Sequence, residues 1–148
     1  MNLQQKKELI RFIDFHSRAR SLNQNSIQAI VSADDTKAGL MEIFDLLNKD
    51  VAVIGYSGSV KPTKFIEELV WALYEGKTVL IETDTLDFDP VVYDQLLQLR
   101  DKNRLTLNFA QTVPVSPLAS IFLLYQNGGE DKRIFEIADH VFNLKEVN

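Results

Sequence analysis

The chain has 148 residues, is 45% hydrophobic and 25% charged, and carries a formal net charge of -5, which fits one globular domain with a proper core and argues against a general nucleic-acid binder. There are no cysteines and only two histidines, His16 and His140, so disulfides, thiol nucleophiles and cysteine-rich zinc sites are excluded and no metal ligand set is expected. No apolar run of ~18 residues could span a bilayer, and "MNLQQKKELIRF" lacks the apolar core and small-residue cleavage site of a signal peptide, so a cytoplasmic protein without membrane contact is expected.

Residues 1–50 predict a helical N-terminal segment. Leu9, Ile10, Phe12 and Ile13 form one apolar face, and Leu40, Ile43, Phe44 and Leu47 form another at helical spacing, with "SADD" (Ser32 to Asp35) as the cap of the second long helix. The first helix is basic: residues 1–25 hold Lys6, Lys7, Arg11, Arg18 and Arg20 against Glu8 and Asp14. Such a face is either solvated or a contact for an acidic partner.

From Val51 onward, β-rich runs alternate with helices: "VAVIG", a helix to Tyr74, "KTVLIET", a helix from Val91 to Lys102, "RLTLNFA", a helix over Leu118 to Gln126, and "HVFNL". The strands are nearly continuous apolar runs, as in a parallel sheet covered on both faces. Pro62, Pro90 and Pro117 suit the first turn of the helices that follow, because proline's missing N–H costs nothing there. The expectation is one three-layer α/β domain over 1–148, with a mostly parallel sheet of about four or five strands. Its core spans 51–148, and its functional edge is built from Gly55 to Thr63, Thr83 to Pro90 and Ala110 to Pro117, at the carboxyl ends of the strands.

"GYSGSVKPT" resembles the phosphate-binding loop of P-loop NTPases, G-x-x-x-x-G-K-[ST], with Gly55, Gly58 and Lys61 in place. The resemblance implies phosphate or nucleotide contacts from Gly55, Ser57, Gly58, Ser59, Lys61 and Thr63, and ATP as the ligand. Two departures bear on that. Val60 replaces the second glycine, whose missing Cβ lets backbone approach phosphate, and Pro62 replaces the hydroxyl residue that holds Mg²⁺ and also removes a backbone donor. "VLIETDTLDFDPVVYDQLL" is similar to the acidic strand and following turn of ABC-type ATPases. That similarity implies Glu82 at the magnesium-coordinating acid, Thr83 in place of the catalytic glutamate with Asp84 beside it, and Gln111 at the γ-phosphate sensor. The closing "EIADHVFNL" resembles the last strand of ABC-type and recombinase-type ATPases, and partition-type ATPases fit the topology equally.

With Mg²⁺ and water-activating groups missing, the expected protein is a non-catalytic, pseudo-ATPase-like regulatory or assembly factor. It would bind another protein, either an ATPase of related fold or a second copy of itself. Two alternatives stand beside it: a phosphate-ligand binder or enzyme using the Gly55 to Thr63 loop, and a nucleic-acid accessory protein using the basic first helix. "GYSGS" lacks the G-x-S-x-G spacing of a nucleophile elbow around Ser57. The carboxylates Glu82, Asp84, Asp87 and Asp89 are either a cation site or an acidic turn that caps the next helix. Trp71, Phe65, Leu69 and Leu73 are expected in the core, and Tyr56 is expected to pack.

Overall fold

The computed structural model describes residues 1–19, 27–32, 36–102, 104–107, 111–115, 119–126 and 131–144. In chain order the elements are α1 (Leu3–Ala19), β1 (Gln28–Ser32), α2 (Lys37–Leu46), β2 (Val51–Tyr56), α3 (Pro62–Tyr74), β3 (Thr78–Thr83), α4 (Pro90–Lys102), β4 (Arg104–Leu107), β5 (Gln111–Pro114), β6 (Ser120–Tyr125), α5 (Ile134–Ile137) and β7 (His140–Leu144). Five strands form one parallel sheet in the order β2-β3-β6-β1-β7.

Successive strand residues point to opposite faces, and each face has its own core. Ile30, Leu80, Phe122 and Leu124 meet Leu9 and Ile13 of α1 and Leu40, Ile43 and Phe44 of α2. On the other face Val79, Ile81, Ile121 and Leu123 meet Phe65, Ile66 and Leu69 of α3, Val92, Leu96 and Leu99 of α4, and Ile134 and Ile137 of α5. The result is the expected three-layer α/β fold with its N-terminal helix. Helices α3 and α4 begin at Pro62 and Pro90, as those prolines predict. Pro117 lies outside the described residues.

Helices α2 and α3 end alike. Past α2 the N–H groups of Asn48 and Lys49 donate to the carbonyls of Asp45 and Phe44 at 3.0 and 2.9 Å, and past α3 those of Gly76 and Lys77 donate to Leu73 and Ala72 at 3.2 and 3.1 Å. Both are Schellman closures, which need one left-handed residue; Gly76 has φ 76° and Asn48 φ 60°.

Three sequence expectations are corrected. The 1–50 segment is not wholly helical, because Gln28–Ser32 forms β1 in the interior of the sheet, with all five residues buried. Leu118 to Gln126 is not a helix: Ser120–Tyr125 is β6, buried at every position because helices cover both faces. "RLTLNFA" adds no strand to the main sheet. Arg104–Leu107 instead pairs antiparallel with Gln111–Pro114 in a separate ribbon, Leu107 opposite Gln111.

Candidate functional site

In an open parallel sheet, ligands gather outside the carboxyl ends of neighbouring strands whose connections leave in opposite directions. Here those strands are β1 and β6. The chain leaves β1 through α2 toward β2 at one margin, and leaves β6 for β7 at the other. The crevice is therefore lined by the ends of β1, β6 and adjoining β3, where Val31, Tyr125 and Thr83 stand in one row across the sheet.

Lys37 opens α2 directly after this crevice, and its Nζ lies 2.9 Å from Oε2 of Glu82 near the end of β3. The two side chains are 42% and 28% exposed, so the pair is partly screened by solvent. Thr36, at the N-cap of α2, makes no side-chain cap bond, and its buried Oγ1 has no hydrogen-bond partner among the described residues. Asp34 and Asp35 of the expected "SADD" cap lie outside the described residues.

The Gly55 to Thr63 loop sits elsewhere. It follows β2 at the sheet margin, three strand spacings from β1, or roughly 14 Å. Gly55 and Gly58 have ordinary negative φ and open space where a Cβ would stand, so neither position requires glycine. The Ser57 and Ser59 hydroxyls bond each other at 3.0 Å, and the Val60 N–H donates to the Ser57 carbonyl at 3.2 Å in a tight turn. An open cavity of about 480 Å³ lies against this loop, lined by Gly55, Ser59, Val60, Lys61, Lys64, Phe65 and Glu68, and the exposed Lys61 precedes the first turn of α3.

The acidic residues at the end of β3 and after it have separate duties. Glu82 holds Lys37, Asp84 is exposed, and Asp87 pairs with Arg133. Asp89 accepts the Val91 N–H at 2.9 Å as the cap of α4. Thr83 is buried; its Oγ1 donates to the Thr85 carbonyl at 2.9 Å and accepts the Thr85 N–H at 3.1 Å, shaping the turn. Among the described residues no group of three or more His, Asp or Glu is placed to hold a metal ion.

Tyr56 packs, as expected. It is 5% exposed, its ring meets Phe65 and Phe88, and its hydroxyl accepts the Asp89 N–H at 2.7 Å. Trp71 departs from expectation: it is 59% exposed on the outer side of α3 while Phe65, Leu69 and Leu73 fill the core. Gln111 lies in the β4–β5 ribbon, and Gln126 is the residue that follows the sheet strand β6. Arg20, Ala110 and Pro117 lie outside the described residues.

No protein-family model matches the chain, and no curated protein sequence is similar to it. Among solved structures it is similar to the P216G mutant of RuvB from Thermotoga maritima, at a TM-score of 0.64 and 11% identity, over 95% of this chain and 46% of that one. At 11% identity the likeness concerns the fold alone, and this chain spans less than half of the RuvB chain. In a parallel sheet of this order the connection at the crevice is the one between β1 and α2, which reads S-A-D-D-T-K-A from Ser32 to Ala38. Sequence reasoning passed over Lys37 because β1 was not recognised as a strand; a lysine opening a helix six residues after the short apolar run that ends at Val31 is the signal that locates it.

Proposed function

We propose that this chain is a non-catalytic P-loop-like domain that acts by binding another protein, in a regulatory or assembly role. The observation that carries the reading is the Lys37–Glu82 ion pair at the crevice. A lysine that neutralises phosphate oxygens and an acid that holds Mg²⁺ are the two charges a nucleotide site needs, and here each is satisfied by the other. Three features of the connecting sequence point the same way. No glycine stands between Ser32 and Lys37, Asp34 and Asp35 give the connecting sequence two negative charges, and Ala38 brings no hydroxyl for a metal ion. The residues present therefore do not fit ATP–Mg²⁺, and no chemical step is assigned to it. Calorimetric titration with ATP, ADP and GTP, with and without Mg²⁺, tests this: no saturable heat is expected at millimolar nucleotide, and binding lost on Lys37→Ala would overturn it.

A second reading is favoured by the cavity beside β2. Lys61 and Lys64, at the positive end of α3, flank about 480 Å³ of open space and suit a small phosphate-bearing molecule bound without Mg²⁺. Saturable binding of such a compound, abolished by Lys61→Ala and untouched by Lys37→Ala, would establish it in place of the first.

A further inference from the structure

Two helices on opposite faces of the sheet carry outer stripes that match each other. On α1, Glu8, Arg11, Phe15 and Arg18 are all exposed and follow at intervals of three, four and three residues. On α3, Lys64, Glu67, Trp71 and Tyr74 are all exposed and follow at the same intervals. That spacing is the seam of a two-stranded helical pair, in which like positions of parallel helices face one another. Laid parallel, the stripes bring Glu8 to Lys64, Arg11 to Glu67, Phe15 to Trp71 and Arg18 to Tyr74. Two pairs are opposite charges, one is two aromatic rings, and one is a guanidinium over a phenol ring.

The exposed rings are large, with Phe15 at 67%, Trp71 at 59% and Tyr74 at 65% of full exposure. Among the described residues Arg11, Lys64 and Glu67 make no ion pair, whereas Arg18 is held 2.9 Å from Asp14 and keeps that partner with its guanidinium outermost. Because α1 and α3 cover opposite faces, one copy cannot join its own two stripes.

We infer that a second copy of this chain docks the outer stripe of its α1 in parallel along the exposed stripe of α3. The inference rests on the assembly reading above and names its partner. The contact is heterologous, so every pair of copies leaves one free α1 and one free α3 at its ends and the association continues in a row. A seam of this length, about 15 Å, buries less than a standard interface, so the association is weak and salt-sensitive.

Sedimentation equilibrium of the full chain from micromolar to millimolar concentration, at low and high salt, tests it. The native protein should gain mass with concentration, less so at high salt, and the emission of Trp71, its sole tryptophan, should shift to the blue as the rows form. Arg11→Glu and Glu67→Arg should each remain monomeric with unchanged circular dichroism, and an equimolar mixture of the two should associate again, since each supplies the charge the other needs. Trp71→Ala, which alters no charge, should also remain monomeric. A native protein that stays monomeric at millimolar concentration, a charge reversal that associates like the native chain, or a mixture that stays monomeric would each overturn the inference. A monomer that also gives no nucleotide heat leaves the assembly reading with a different partner, whereas saturable nucleotide binding removes that reading itself.

Discussion

The imidazole rings of His16 and His140 stack with centroids 4.4 Å apart and planes inclined by 29°, joining the last turn of α1 to the first residue of β7. Phe12 and Phe15 meet the His16 ring edge-on at 4.5 and 5.0 Å. His16 is 8% exposed, and burial, reinforced by the neighbouring His140, lowers its pKa from 6.5 to about 4.

That depressed value makes the fold sensitive to acid. Between about pH 6.5 and 4 the unfolded chain binds a proton that the folded chain refuses, so the contribution of neutral His16 is present in full above pH 6.5 and is lost as the pH falls through this window. The loss should be on the order of 3 kcal/mol. Urea midpoints measured at intervals from pH 7.5 to 4 should fall accordingly, and His16→Phe should flatten the decline. An identical slope in that variant would assign the acid sensitivity to other groups.

The Lys37–Glu82 pair should contribute little to stability, since both side chains are partly exposed. A double-mutant cycle with Lys37→Ala and Glu82→Gln should give a coupling of about 0.5–1 kcal/mol in chemical denaturation. A coupling several times larger would mean a pair much better shielded from water than these exposures describe.

Tyr56→Phe removes the acceptor of the Asp89 N–H and should cost about 1 kcal/mol, while Tyr56→Ala also opens a cavity beside Phe65 and Phe88 and should cost about 3–5 kcal/mol. Equal costs for the two would show that the ring adds nothing beyond its hydroxyl.

The two Schellman closures give opposite responses to similar changes. Asn48→Gly relieves a side chain held at φ 60° and should stabilise the protein by several tenths of a kcal/mol, whereas Gly76→Ala forces a Cβ into φ 76° and should cost about 1 kcal/mol. Thermal melts of the two variants should move in opposite directions.

Much of the fold is legible in the sequence where local chemistry is strong. The proline starts of α3 and α4 and the continuous apolar runs of β2 and β3 are examples. Two of the strands absent from the sequence reading, β1 and β6, have a common cause. "QAIVS" and "SIFLLY" are buried on both faces, so they show no alternation, and an apolar run of five or six residues is as compatible with a helix as with a strand. Losing β1 also displaced the site: with Val51 taken as the first strand, the glycine-containing loop after it drew attention to the sheet margin, while Lys37 at the crevice went unnoticed. The exposure of Trp71 was illegible for another reason, since its place on α3 adjoins the apolar face and only the packing shows which side of the boundary it takes.

Strand β1 also governs when the domain can form. Its neighbours are β6 and β7, and the N–H of Ile27 just before it is bound at 3.1 Å by the carboxylate of Asp139, 112 positions later, while the Asp139 N–H returns to the Ile27 carbonyl at 2.9 Å. β1 is synthesised before either strand that pairs with it, so both of its hydrogen-bonding edges are completed only after β6 and β7 have been made. The centre of the sheet is therefore a long-range pairing, and folding of the domain is closed by its C-terminal third.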